Sequence, residues 1–403
     1  MYKLILKMAW KNSFIRLSRT LLVIIMIAVS MSMMLGIQGI YDGMVNNMVD
    51  KNKRSDSGDI SIFAKDYRVN RDLTYRVKNA QEIKAEIQKM DGVEAVALRL
   101  RADGLLSTAR KSSFALVVGI DLNEEERFGK FSEFLKEGSV DLQKQGAIIG
   151  IELAKTLKVR VGSKVIFSTQ DGSGEINSIA LYIRAIVQTT NIALDNSAIF
   201  IDIGQLHKFL GTASTEATQI AVKSKDEKIY GELKAKYPNL DVKSFLELQP
   251  MIKQMQDLMV IFNSVTFFIV MSVVFVGIFG VMYVSILDRI REFGIMLSVG
   301  MHYKYIRLQI LFEALFVGLI GYLSGAVLGA VILIYLKNQG IDLSSFSDAL
   351  EMWGYESTIH GTIKISYFTT TFAAIITASL FSIVIPLRKI KKLNPIEVIK
   401  ADK

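Results

Sequence analysis

The stretch I-F-N-S-V-T-F-F-I-V-M-S-V-V-F-V-G-I-F-G-V-M-Y-V-S-I, residues 261–286, decides the fold: it contains no charged side chain, and L-D-R-I-R-E follows at once. A helix crosses about 30 Å of hydrocarbon with roughly 20 apolar residues. This segment is long enough to span, and so are 21–40, 308–336 and 367–387. The first has the basic approach of a secretory signal in Lys3, Lys7, Lys11, Arg16 and Arg19. Its apolar run is long, however, and no small-x-small cleavage site closes it, so an uncleaved anchor is expected.

The 403 residues are 51% hydrophobic and 22% charged, with a mean hydropathy of +0.33. That is too apolar for an ordinary soluble chain and too charged for spans alone, so membrane helices plus a sizeable water-exposed domain are implied. The absence of cysteine removes disulfides, thiolate catalysis and zinc-thiolate sites together. His207, His302 and His360 lie far apart in the sequence, which argues against an imidazole metal cluster.

The charge balance is +5 before the first span, +2 between the second and third, and +4 after the fourth, against +9 for the whole chain. The positive-inside rule then puts these three flanks and both termini in the cytoplasm. Residues 41–260 fall outside as an extracytoplasmic domain with its stalks, and 337–366 as a short outer loop. Residues 1–20, 287–307 and 388–403 are the inner elbow, connecting segment and tail. Charges in the outer domain nearly cancel, which argues against a nucleic-acid surface.

Within that domain, Met44, Val45, Met48 and Val49 form one helical stripe. Met251, Ile252, Met255, Leu258 and Met259 form another, so amphipathic stalks should continue spans one and two. Residues 58–64, 93–101, 219–222 and 242–248 read as strands, and 81–90 and 226–237 as helices. Two βαβ units of this kind are the halves of a ferredoxin-like fold. Residues 104–210 interrupt it as a β-rich insertion, with strands at 113–120, 164–169, 179–187 and 198–203 and a turn at Gly172–Gly174.

No G-x-x-x-x-G-K-[ST], G-x-S-x-G or H-E-x-x-H occurs, so P-loop ATP binding, serine hydrolysis and zincin chemistry have no support. Glu124, Glu125 and Glu126 after Asp121 read as a solvated helix start, because acids favour a helix N-terminus. Glu313 is different, since a carboxylate inside a span is expensive. It either reaches the inner interface or is packed against a partner for a task.

Several motifs carry a resemblance. They are Ala9-Trp10-Lys11-Asn12 with Arg16, Arg19 and Thr20, then Gly58, Ile60, Ile62 and Tyr67, and the run Val118-Gly119-Ile120-Asp121. Glu137-Gly138, Ile148–Gly150, Leu153-Ala154 and Val161-Gly162 follow. Beyond the second span come Arg291, Glu292, Gly294, Ile295 and Gly300, then Phe312–Leu315, and finally Asn394–Glu397. Spread over nearly the whole chain, they resemble the FtsX-like/MacB-like family of ABC transporter permeases, of the lipoprotein-releasing LolC/LolE type. Leu297, Ser298 and Met301 depart from the family's usual residues.

The resemblance implies a ferredoxin-like Porter part at 55–103 and 215–250, interrupted by a Sabre-like part at 104–210. It implies no catalysis and no cofactor in this chain, ATP and magnesium being held by partner ABC ATPase subunits in the cytoplasm. A dimer with a second copy or a paralogue, a lipoprotein substrate and a periplasmic lipoprotein carrier are further implications, all at an inner membrane. The ATPase would couple through Arg291, Glu292, Phe293, Gly294, Ile295, Gly300, Met301 and Glu313. A methionine-rich seam at Met26, Met33, Met34, Val45, Met48, Met255, Met259 and Met271 would accept acyl chains, because methionine adapts its shape; lipid-facing or helix-packing methionines are the alternative. A MacB-type pump for peptides or drugs, its ATPase normally fused where this chain has about twenty residues before its first span, and an FtsX-type regulator of cell-wall hydrolases, expected to have a much smaller outer domain, are the other functions considered. Amine labelling of intact spheroplasts is expected to modify Lys65, Lys155 and Lys234 and to spare Lys304 and Lys392; reaction of Lys304 from outside overturns the four-span topology.

Overall fold

The computed structural model describes residues 2–170, 174–189, 191–226, 228–346 and 358–391; Gly172 and Ser173 of the expected turn and the tail motif 394–397 lie outside these. One compact unit gathers the chain up to Val45, Gln256–Leu343 and the segment from Thr358 onward; a second holds Asn46–Met255.

Four helices are long and apolar enough to cross a membrane. The first runs Leu17–Asn52 without interruption and the second Pro250–Asp288, each continuing well beyond its apolar core, as the stalk stripes require. Pro250 suits the first turn, where no amide hydrogen is needed. The third, Tyr303–Asn338, starts at His302, whose Nδ1 accepts the Lys304 amide at 3.3 Å. It ends where Gly340 takes φ +73° and donates to the Leu336 carbonyl. The fourth, Ile365–Ser382, breaks at Ile383 and resumes as Val384–Lys391. Pro386 explains the break, having no amide hydrogen to give the Ser382 carbonyl one turn back.

In the membrane unit Val23, Ile27, Met31 and Leu35 of the first helix pack in one cluster with Val274 and Ile278 of the second, Ile310 and Val317 of the third and Ile375 of the fourth. Glycines set the spacing. A Cβ on Gly321 would stand 2.8 Å from Ile27, and one on Gly325 2.9 Å from Met31 and 3.0 Å from Ala28, while Gly329 meets Leu35. At four-residue intervals these glycines open a groove along the third helix for the first, the close approach that small residues permit between spans. Gly318, on the side of the fourth helix, meets Ser379.

The second unit is built on one ten-stranded sheet. Its strands are β1 (Ile60–Ala64), β2 (Val93–Ser107), β3 (Ser112–Ile120), β4 (Leu135–Gly138), β5 (Gly146–Gly150), β6 (Lys164–Gln170), β7 (Ile176–Val187), β8 (Ala198–Asp202), β9 (Gln219–Ser224) and β10 (Leu240–Ser244). The order β10-β1-β9-β2, antiparallel throughout, is the ferredoxin-like arrangement. Alternation points Ile60, Ile62, Val96, Leu98, Ile220 and Val222 to one face, where helices Ala80–Ile87 and Lys228–Lys236 cover them with Ile87, Ile229 and Leu233. The other strands form a closed ring: β2 pairs β3, which pairs β8, then β5, β7 and β6, and β6 returns to β2. β4 adds to β7 outside the ring. Leu100, Leu106, Val117, Ile149, Phe167, Ile183 and Ile199 are among the residues filling its core.

Two expected strands are corrected. The strand read at 93–101 continues to Ser107, because its second half is the wall of the barrel. The strand read at 242–248 ends at Ser244, where a capping box with Glu247 opens the helical turn Phe245–Leu248; the serine and glutamate three apart were its signal. The helices Leu122–Gly129, Ile151–Leu157, Ile192–Ser197 and Ile203–Leu210 lie within the stretch read as β-rich.

Gly325→Leu is expected to force the first and third helices apart and to cost about 1–3 kcal/mol, read as a lower melting temperature of the detergent-purified chain. Gly280→Leu, where a Cβ meets nothing within 4 Å, is the control; equal losses at both positions exclude the groove.

Candidate functional site

Between the second and third long helices lies a short helix, Ile290–Ser298. Phe293 and Gly294 are buried, while Met296, Leu297 and Met301 pack partly against the membrane core. Arg291, Glu292, Ile295, Ser298 and Val299 are exposed, one stripe at helical spacing. Its centre is apolar: Ile295 is 48% and Val299 83% exposed. The helix ends with the Met301 amide donating to the Met296 carbonyl at 2.9 Å and the Gly300 amide to that of Leu297 at 3.1 Å. This Schellman closure needs a left-handed residue at Gly300, whose φ is +91°. Nothing in the described chain comes within 4 Å of a Cβ built at Gly300.

Glu313 is 2% exposed. Arg289 Nη1 donates to its Oε1 and Oε2 at 3.0 and 3.2 Å, Gln309 Nε2 to Oε1 at 3.2 Å, and Arg289 Nε to Glu292 at 3.0 Å. The Arg289 guanidinium lies 5.1 Å from the centre of the Phe293 ring. Burial opposes the charge on Arg289, but the carboxylates of Glu313 and Glu292 outweigh it and raise its pKa above the ordinary value. Of the two alternatives for Glu313, the structure selects the packed and partnered one. Neighbouring Asp288 pairs with Arg16 and, at 2.7 Å, with Arg19. These groups line a cavity of about 130 Å³ with Asn12, Thr20 and Ser285. Sequence reasoning named Glu313 but neither Arg289 nor Gln309; Gln309 and Glu313, one turn apart on a span, were the available signal.

The methionine seam is divided by its surroundings. Met34 and Met48 are buried, Met26, Val45, Met255, Met259 and Met271 half-buried, and Met33 is 59% exposed. Met26 closes on Gly277 of the second helix. Met34 has no surface left for a ligand.

A second polar cluster lies in the α/β unit at the root of the first long helix, where a π-turn, Lys53–Ser57, continues from Asn52. Ser61, Ala97, Arg99, Gln219 and Ala221 line the sheet face opposite the ferredoxin-like core, and they are buried too. Helix Leu122–Gly129 covers them through Phe128 and Glu125. Glu125 receives Arg99 on both oxygens at 2.6 and 2.8 Å, so the acidic run expected to be solvated is buried at its middle member. Asp56 pairs with Arg101 and stands 3.8 Å from Arg99. Gln219 donates to Ser61 at 2.8 Å, which donates to the Ser57 carbonyl at 2.6 Å. Arg54 donates to the Gly129 carbonyl at 2.9 Å and pairs with Glu133. Burial alone raises the Asp56 pKa, but Arg101 and Arg99 overcome it and hold the carboxyl below its ordinary value.

Among the described residues no three His, Asp or Glu side chains converge as a metal site. Four helices long and apolar enough to cross a membrane among the described residues, with a mixed α/β domain between the first and second, define an integral membrane protein. The MacB-like periplasmic core domain family matches residues 20–238 and the FtsX-like permease C-terminal family residues 264–395. The chain belongs to the FtsX-like/MacB-like family of ABC transporter permeases, and the regions matched are those of the non-catalytic permease component.

It is 22% identical over 342 residues to the lipoprotein-releasing system transmembrane protein LolE of Haemophilus influenzae, covering 80% of each chain. It is 27% identical over 261 residues to the macrolide export ATP-binding/permease protein MacB of Haemophilus ducreyi, covering 60% of this chain and 34% of that one. The crystal structure of the periplasmic region of MacB from Actinobacillus actinomycetemcomitans aligns with a TM-score of 0.35 at 16% identity, over 48% of this chain and 92% of that one.

Because the native pKa of Asp56 is depressed, its contribution to stability is complete above the ordinary carboxylate pKa of about 4 and is lost as the pH falls through the native value. Asp56→Asn is expected to cost about 3 kcal/mol at neutral pH by leaving Arg101 without its carboxylate, and to flatten that acid limb. Unchanged melting curves across this pH range count against the root cluster.

Proposed function

We propose that this chain is a mechanotransmission permease that extracts lipoproteins from the outer leaflet of an inner membrane, driven by ATP hydrolysis in separate cytoplasmic subunits. The observation that carries the reading is the short helix Ile290–Ser298. It offers Ile295 and Val299 beside Arg291 and Glu292, a face suited to a protein partner, while Arg289 behind it is bonded to Glu313 of the third long helix. A displacement imposed on the exposed face is passed to a membrane helix through an ion pair that is costly to break.

In this reading both termini are cytoplasmic and the α/β domain is periplasmic. ATP and magnesium bind the partner, and the permease works as a dimer with a second copy or a paralogue. Arg291, Glu292, Ile295 and Val299 contact the ATPase, while Phe293, Gly294, Gly300 and Met301 hold the helix in place. The half-buried Met26 and Met271, with Val45 and Met259 beyond them, are where acyl chains would lie. Extraction needs an energy source, because an acyl chain of ~15 carbons at about 0.8 kcal/mol per methylene costs on the order of 10 kcal/mol to withdraw. It also needs a carrier with an apolar site to receive the lipid. The similarity to LolE over four-fifths of both chains supports this substrate. Export of a small molecule is the second reading, favoured by the similarity to MacB.

Ile295→Asp with Val299→Asp is expected to reduce co-purification of the ATPase at least tenfold and to stop lipoprotein release from spheroplasts, with the melting temperature unchanged. Gly300→Asn, which keeps the left-handed turn, should bind the ATPase normally, whereas Gly300→Leu should not. Retention of the ATPase by the double aspartate variant refutes the docking face. Intact coupling with undiminished retention of lipoproteins in the membrane points to the second reading.

A further inference from the structure

The helix Tyr2–Ser13 carries its residues in four stripes four apart, of which three bear on its surroundings. Ile5, Ala9 and Ser13 are buried; Trp10, beside them, meets Phe316 of the third long helix edge-on at 5.2 Å. Tyr2, Leu6 and Trp10 form a flank that is 61%, 43% and 49% exposed. Lys3, Lys7 and Lys11 form the third stripe, all exposed and with no acidic partner among the described residues. Arg16 and Arg19, just beyond, share the single carboxylate of Asp288. The basic charge here thus divides into a pair held by a carboxylate and a row with no acidic partner.

An apolar flank ending in Tyr and Trp, held beside a spanning helix and followed by a row of lysines, has the chemistry of a lipid headgroup boundary. We infer that this helix lies in the interfacial layer and that Lys3, Lys7 and Lys11 bind anionic phospholipid headgroups of the adjoining leaflet. The occupant is set by charge complementarity: three unpaired cations on one line face a layer whose fixed charges are phosphates, while the aromatic flank beside them needs acyl chain. A zwitterionic surface satisfies the flank but not the lysines. The inference rests on the membrane-spanning architecture and not on the identity of the ATPase or cargo.

The test uses the full chain in nanodiscs of equimolar phosphatidylcholine and phosphatidylglycerol, with Trp353→Phe leaving Trp10 as the sole indole. Native mass spectrometry after mild detergent extraction is expected to show phosphatidylglycerol enriched on the protein. Lys3→Gln/Lys7→Gln/Lys11→Gln should lower that enrichment about tenfold or more, and the corresponding triple arginine variant should keep it. Trp10 emission should be quenched by lipids brominated near the headgroup in every variant. Unchanged enrichment in the triple glutamine variant overturns the inference. So does quenching of Trp10 by aqueous iodide in place of bromolipid, or displacement of the lipid by millimolar inorganic phosphate, which would make the row a free-anion site.

Discussion

A carboxylate that leaves water must bring its counter-charge with it. Glu313 is inside the third long helix and almost wholly buried, so Arg289 has to end the second helix beside it. That requirement fixes the turn between the two helices, seats Phe293 beneath the guanidinium, and leaves the opposite stripe of the short helix in the open. The third helix is in turn fitted to the first by Gly321, Gly325 and Gly329. Electrostatics holds one end of this arrangement and steric fit holds the rest. Neither tolerates gradual adjustment, since a packed glycine groove and a buried ion pair are each either formed or lost.

A second desolvated network, in the α/β unit, solves a different problem. A ferredoxin-like sheet covered by helices on one face would leave the other wet. Here that face carries Arg99, Gln219 and Ser61, and it is closed by the helix bearing Glu125 and by the π-turn bearing Asp56. Extra turns of this kind in long helices occur where a functional connection is made. Gly58, at φ +64°, ends the turn where a Cβ would stand 2.9 Å from Phe128. The root of the first long helix is therefore bonded into the sheet by charge, whereas the second helix starts through local backbone chemistry at Pro250, just after the short turn that Ser244 caps.

The sequence made legible whatever depends on runs and periods. The spans at 21–40, 261–286, 308–336 and 367–387 are apolar runs of membrane length, and the two βαβ units show strands alternating with one-faced helices. Pairings between distant residues were hidden. Leu122, Glu125 and Phe128 share one face of their helix, but Arg99, the partner that makes burial of Glu125 tolerable, is 26 residues away. The capping box at Ser244 and Glu247 was local and readable, yet the β-like run 242–248 outweighed it. The glycines at 321, 325 and 329 were plainly visible, but their meaning required knowing which helix lay opposite. In the short helix, Arg291, Glu292 and Ile295 were named from sequence together with the buried Phe293 and Gly294, whereas Arg289, whose partner Glu313 is 24 residues away, was not.

β2 has a consequence in mechanics. Its first half pairs with β9 in the ferredoxin-like sheet and its second with β3 and β6 in the barrel. The inserted part is thus not hung from a flexible tether but made by lengthening a strand of its host. A load passing along β2 from one half to the other bears on many backbone hydrogen bonds at once, in shear, and a bond set loaded that way resists far better than one opened end first. The domain should behave as a single stiff beam. The axis along which its loops are carried is fixed by one fifteen-residue strand.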